Sequence, residues 1–375
     1  MRAEVTHVSF AETGRGMTSA DLPFCSRVIS VPRPRSYTPG KILRGFFGRW
    51  PLPVVNYTSN IMRRAVREAL AGTFDLIHLD SIHMAAYVPG LLEAAGAPIT
   101  YDWHNIESEA MQRYGRQTAS APRARYAMLT ARRLESLEDS ILRDSYGGLV
   151  CSERERAALQ HRVPGARLAV IENGVDAAFF AAPPVPGSER RRIVFVGSMD
   201  YHANVEAVVA FAREVWPDLH RELPGITFTV VGSNPAPAVL ALREESGIEV
   251  TGTVADVRPY YRESLAAVVP LRVGGGTRLK ILEAMAAGIP VVSTPLGAEG
   301  LAVSPGRDLL IAESAGDWLR HLRALSSGAE SWNALAEAGC ELVRKRYDWE
   351  ILGALLYGLY TEWSRDSQQR AIPSC

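Results

Sequence analysis

Lysine is nearly absent from this chain: Lys41, Lys280 and Lys345 are the only three among 41 basic residues. Cysteine is as sparse, and Cys25, Cys151, Cys340 and Cys375 form no Cys-x-x-Cys pair. That spacing argues against both a disulfide framework and a zinc site, and it favours a reducing compartment. No Asp-x-Asp occurs, and no His/Cys/carboxylate group has ligand spacing along the chain, so no metal is expected. No Gly-x-Gly-x-x-Gly follows a strand with an acidic residue downstream, which argues against a nicotinamide enzyme. No apolar run nears the roughly 20 residues of a membrane-spanning helix. No signal peptide is visible, because Met1-Arg2-Ala3-Glu4-Val5 leads straight into strand-like sequence. A cytoplasmic protein is the expectation. One further absence is local. Between Asp21 and Glu68 there is no acidic residue, whereas Arg27, Arg33, Arg35, Lys41, Arg44, Arg49, Arg63, Arg64 and Arg67 all fall there. No DNA- or RNA-binding motif accompanies them, so nucleic acid is not expected as a partner.

What is present reads as a globular α/β protein. The 375 residues suffice for two domains, and 47% apolar with 22% charged residues is ordinary for a soluble chain. Short β-branched runs alternate with longer helical patterns, the signature of βαβ units and parallel sheets. Strands are expected near 5–10, 27–31, 76–80, 99–103, 148–151 and 168–171, with the clearest helix over 123–143. There Leu129, Arg132/Arg133, Leu137 and Ile141 show the 3.6-residue period. The stretch Ala181-Ala182-Pro183-Pro184-Val185-Pro186-Gly187-Ser188 has linker composition. The rhythm then restarts, with strands expected at 193–196, 227–231, 248–251, 266–270, 290–293 and 309–311. The tail 349–365 is amphipathic, with Ile351, Leu352, Leu355, Leu356, Leu359 and Tyr360 on one side.

One loop carries chemistry. Gly274-Gly275-Gly276-Thr277-Arg278-Leu279-Lys280 joins an expected strand to an expected helix over 277–286. A helix N-terminus carries about half a positive charge, so two cations in its first turn repel it unless an anion is shared between them. The glycines bare backbone N–H groups for close approach of a ligand. Phosphate is the anion this arrangement suits. A solvated surface turn explains the cations but not the glycines beside them.

The residues then resemble a known family. Val194-Phe195-Val196-Gly197, the Pro270–Lys280 run and Glu283-Ala284-Met285-Ala286-Ala287-Gly288-Ile289-Pro290-Val291-Val292-Ser293-Thr294 are similar to the family-4 retaining glycosyltransferases, of an exopolysaccharide type. Ile171-Glu172-Asn173-Gly174-Val175-Asp176 resembles the turn closing their N-terminal domain, and Asp102-Trp103-His104-Asn105 their histidine loop. The resemblance implies a GT-B fold: two doubly wound Rossmann-like domains facing across a cleft. The acceptor domain would be residues 1–182, joined by the tail helix 349–375, and the donor domain residues 188–348. The implied activity is metal-independent, cofactor-free transfer of a sugar, with retention, from a nucleotide-diphosphate sugar. The acceptor would be a glycan, a lipid-linked or a small molecule, in polysaccharide or glycolipid synthesis. By the same resemblance His104, Arg278, Lys280 and Glu283 are catalytic, with Glu283 on the ribose hydroxyls and His104 facing the donor sugar. Gly197, Ser198, Asn204, Thr253, Val254, Gly274, Gly275, Gly276, Thr277 and Glu299 would line the donor. On the helix, Glu283 is expected beside Lys280 while Leu279 and Leu282 turn inward. Asn173 and Gly174 are expected to shape a turn.

The chain also departs from the family pattern. Gly275 stands where a first glutamate is usual, and Gly197-Ser198 and Asn204 replace a Gly-Arg and a downstream lysine; Arg278 and Lys280 are expected to supply that charge. The first strand of the N-terminal domain has no match, so a start upstream is expected, along with a gap beside the strand at 5–10. A non-catalytic GT-B partner protein and a sugar-nucleotide epimerase are the alternatives. Finally, Lys41-Ile42-Leu43-Arg44-Gly45-Phe46-Phe47-Gly48-Arg49-Trp50 interleaves cations with aromatics. Residues 32–55 therefore suit an anionic membrane surface, which would put the protein at the inner face of the plasma membrane. A solvated loop is the other reading.

Overall fold

The computed structural model describes every residue except 1–2, 12–15, 95, 119, 182–184, 186–189, 275–278 and 372–375. Gly275, Gly276, Thr277 and Arg278 of the glycine-rich loop, and most of the 181–188 linker, therefore lie outside the described residues. The chain divides into two compact units. Unit 1 is Met1–Val170 with Tyr357–Cys375, and unit 2 is Ile171–Leu356. The Trp349–Ala371 helix contributes its second half to unit 1.

Unit 2 is a doubly wound sheet. Its strands are β7 (Arg192–Val196), β8 (Thr227–Val231), β9 (Ile248–Gly252), β10 (Ser264–Val269), β11 (Val291–Ser293) and β12 (Leu310–Ile311). They are all parallel and lie in the order β12-β11-β10-β7-β8-β9. Read from the other edge this is the 3-2-1-4-5-6 arrangement, with the switch in direction between β7 and β10. The strands read as unbroken apolar runs because helices cover both faces; every residue of β10 is buried. Ile193, Phe195, Phe211, Phe228, Ile281, Leu282 and Trp332 belong to a single core. Gly174 is required where the chain enters this unit. A Cβ there would stand 2.5 Å from Leu352 Cδ1 and 2.8 Å from the Tyr347 carbonyl oxygen.

Unit 1 holds β1 (Thr6–Ala11), β2 (Arg27–Pro32), β3 (Ile77–Asp80), β4 (Ile99–Trp103), β5 (Gly147–Val150) and β6 (Leu168–Val170). These strands are also parallel, but they form two sheets, β1-β2 and β3-β4-β5-β6. Set against unit 2, the position that β7 fills has no counterpart among the described strands. The core is divided likewise. Val31, Met62, Ala65 and Tyr87 pack under β1-β2, while Leu79, Tyr101, Trp103 and Leu134 pack under the larger sheet.

Two helical expectations need correction. In the Ala121–Asp144 helix the buried face is Ala127, Ala131, Leu134, Glu138 and Ile141, whereas Leu129 is 51% exposed. Small residues face inward because the Glu107–Gln117 helix packs close: a Cβ on Gly115 would touch Met128 and Ala127. Glu138 is fully buried. It accepts from the Ser108 N–H at 2.9 Å and pairs with Arg162 at 2.8 Å. In the tail helix Leu352 and Trp363 are buried, while Ile351 and Leu355 are exposed, so the inward stripe is narrower than hydrophobicity implied. Among the described residues, no helix is long and apolar enough to cross a membrane.

Candidate functional site

The carboxyl ends of β7 and β10 flank the switch point of unit 2, where ligands of such sheets lie. β7 runs into Gly197, and β10 leads through Pro270, Leu271 and Gly274 toward the Leu279–Ala286 helix. Gly274 has φ +110°, a left-handed backbone that suits glycine. Lys280, in the first turn of the helix, reaches across: its ammonium donates to Asn204 Oδ1 at 2.9 Å and lies 3.9 Å from the centre of the Phe195 ring. A Cβ on Gly197 would stand 2.8 Å from Lys280 Nζ and 2.8 Å from Asn204 Nδ2. Only glycine lets these three groups converge. Asn204 in turn donates to the Ser198 carbonyl oxygen at 2.8 Å.

Glu283 lies one turn further along the helix. Its Oε2 accepts from the Tyr261 hydroxyl at 3.0 Å, and burial holds its carboxyl above the usual range. Tyr261 is itself buried. Lys280 reaches Asn204 and Glu283 reaches Tyr261, while the Lys280 charge also acts on the Glu283 carboxyl and pulls it down. Leu282 faces the core as expected, but Leu279 is 43% exposed. It stands at the start of the helix, beyond the edge of the core.

Ser198, Thr253, Val254 and Glu299 lie on the same strand-end side of the sheet. Ser198 is exposed, and its hydroxyl donates to Asp200 at 2.7 Å. At the end of β9, Gly252 has φ +77°, Thr253 is exposed and Val254 packs against the core. Glu299 is exposed in the turn after β11. Asn204, by contrast, is nearly buried.

In unit 1 His104 follows β4 and sits beside the end of β3. Asp80 and Asp102 are register partners on these two strands. His104 Nε2 lies 2.5 Å from Asp80 Oδ1, and Nδ1 lies 3.7 Å from Asp102 Oδ1. The Asp80 bond is the main force pushing His104 up to about 10, assisted by Cys151; the same bond holds Asp80 below its usual range. His104 is therefore an imidazolium at neutral pH, half-exposed at the strand ends. Burial pushes Asp102 and the Cys151 thiol up.

Asp102, His104 and Cys151 also form a three-residue group whose donor atoms lie within 4.8 Å of one another. The tertiary structure makes this group; spacing along the chain does not reveal it. For these three to hold a metal, the His104 imidazolium and the Cys151 thiol would each have to lose a proton first. Asp80, Cys151, Phe195 and Tyr261 were not picked out by sequence reasoning. A signal existed for Asp80, since it ends the strand that pairs with the one leading to His104.

Two family models match the chain, one in each half. Residues 190–327 match the family model described as Glycosyl transferases group 1, and residues 18–179 match Glycosyltransferase Family 4. A glycogen synthase of Mycobacterium tuberculosis is 26% identical over 259 residues, 64% of this chain and 59% of that protein. An uncharacterized 44.6 kDa protein in the cps region of Klebsiella pneumoniae is 24% identical over 164 residues, 42% of each chain. The chain thus spans about half the length of these curated relatives. Among solved structures, HepE of Anabaena in complex with UDP has a TM-score of 0.66 at 14% identity, covering 96% of this chain and 100% of that one. Sucrose-phosphate synthase of Thermosynechococcus elongatus has a TM-score of 0.65 at 20% identity, covering 91% and 84%.

Proposed function

We propose that this chain, a GT-B protein with glycosyltransferase sequence in both halves, moves a sugar from a nucleotide-diphosphate donor to an acceptor with retention, in polysaccharide or glycolipid synthesis. The observation that carries the reading is Lys280 at the switch point, an ammonium drawn against Gly197 and Asn204 at the start of a helix. Such a group stabilises the negative charge that grows on a departing diphosphate. Arg278 is assigned the same task. Glu283, held by Tyr261, accepts from the ribose hydroxyls, and the His104 imidazolium donates to the donor sugar. The bond from the anomeric carbon to the diphosphate breaks as the acceptor oxygen bonds that carbon on the same face. The acceptor proton passes to a donor phosphate oxygen. Every charge this requires comes from protein groups, so the reaction is assigned no metal. The structure of HepE with UDP-glucose supports a uridine nucleotide as the first donor to try.

A thermal-shift panel of nucleoside diphosphates and their sugars tests the function. A specific ligand at 100 times its dissociation constant adds about 2.7 kcal/mol of stability. The expected result is stabilisation by one nucleotide sugar and by its diphosphate, followed by acceptor-dependent release of that diphosphate. Binding without turnover would favour a non-catalytic partner protein. Conversion of the donor sugar with no acceptor present would favour an epimerase. No response to any nucleotide defeats the proposal.

A further inference from the structure

Two acid-free stretches of unit 1 meet in space. The first, between Asp21 and Glu68, contains the Pro39–Phe47 helix. The second, between Glu109 and Glu135, carries Arg113, Arg116, Arg123, Arg125, Arg132 and Arg133 and no acidic residue. The Arg133 guanidinium donates to the carbonyl oxygens of Gly45 and Gly48, the latter at 2.6 Å, and so caps the carboxyl end of the short helix. The Phe46 and Tyr126 rings pack 5.3 Å apart. Tyr126 and Arg133 are seven residues apart on one face of the Ala121–Asp144 helix, so the short helix lies along that face.

Its outward side is apolar. Phe47 is 85% exposed, Leu43 62% and Phe46 46%. Next to the contact runs a second outward row at helical spacing, Arg125, Leu129 and Arg132, with Leu129 51% exposed. Arg44 and Arg49 are exposed on the short helix side. Among the described residues, none of Arg44, Arg49, Arg125 and Arg132 pairs with a carboxylate. The result is a ridge of large apolar side chains bordered by arginines.

We propose that this ridge is a docking surface for an anionic lipid bilayer. Leu43, Phe46, Phe47 and Leu129 enter the headgroup boundary, and the flanking arginines meet lipid phosphates. Charge alone would suit nucleic acid equally. The exposed aliphatic and phenylalanine side chains decide for lipid, because a polyanion in water offers them nothing. The proposal stands apart from sugar transfer and does not depend on it.

Co-sedimentation of the full chain with vesicles tests it, using phosphatidylcholine alone against phosphatidylcholine with about 30% phosphatidylglycerol. The expected partition is about tenfold or more in favour of the anionic vesicles, weakening as salt rises. The pair Arg125→Ala and Arg132→Ala should reduce it several-fold, and Leu43→Ser with Phe47→Ser should reduce it at every salt concentration. All four side chains are solvent-facing, so melting temperatures should stay unchanged. Equal partition to both vesicle types overturns the proposal, as does loss of binding only in the arginine variants with full competition by duplex DNA. Nucleotide binding by the same samples separates failure here from failure of the catalytic reading.

Discussion

Unit 2 and unit 1 are both built from parallel strands, yet one is continuous and the other is split. In unit 2 six strands and their helices share one core, and the central strand β7 ends at the glycine where Lys280, Asn204 and Phe195 meet. In unit 1 two sheets and two cores stand side by side, and the charged groups at the strand ends are a histidine and two aspartates. The continuous unit places a cation, Lys280, at its switch point. The divided unit spends a buried ion pair, Glu138 with Arg162, on holding its helices together.

The contrast can be broken at several points. The largest effect should come from Glu138→Ala, which leaves the buried Ser108 N–H and hydroxyl without their acceptor and takes one of two carboxylates from Arg162, Asp139 remaining, and should cost about 3–5 kcal/mol. Urea unfolding followed by hydrogen exchange should show unit 1 opening first while unit 2 keeps its protection. A single transition shared by both units would mean that they are not independently stable. Next, Lys280→Ala should weaken nucleoside diphosphate binding by about 100-fold, roughly 2.7 kcal/mol, in a calorimetric titration. An unchanged affinity removes Lys280 from the site.

Asp80→Asn addresses the other unit. His104 should fall from about 10 toward its ordinary 6.5, as followed by imidazole chemical shifts. Because the native value is raised, His104 protonation stabilises unit 1 fully below about pH 6.5, and this stabilisation fades as the pH climbs toward 10. Asp80→Asn should flatten that slope. The smallest effect belongs to Glu283→Gln. Its carboxyl is raised by burial, so its ionisation lowers the stability of unit 2 as pH rises through the native value. Glutamine still accepts from Tyr261 and carries no charge. The variant should melt about 1–3 °C higher at neutral pH, yet bind nucleotide sugar less well. A lower melting temperature would mean that Glu283 is structural.

Much of the fold was legible because parallel strands buried on both faces read as unbroken β-branched runs. Arg192–Val196, Thr227–Val231 and Ile99–Trp103 all appear within a residue of their expected limits. Helix faces were less legible. Leu129, Ile351 and Leu355 look like core and are not; on the Ala121–Asp144 helix alanine makes the close contact with Gly115 instead. Placement was legible where residues are near in sequence, as with Lys280 and Glu283 on one helix. It was hidden where strand order brings the parts together, as with Asp80 beside His104.

By itself the chain determined its class and rhythm, since hydrophobic period and glycine placement are local properties that any segment carries with it. It also determined which residues hold charge. Only the tertiary structure decided which charges face one another: Lys280 against Asn204, His104 against Asp80, one arginine-rich stretch against another. Electrostatic partnership depends on distance in space, and that distance is set by strand order and helix packing rather than by position along the chain.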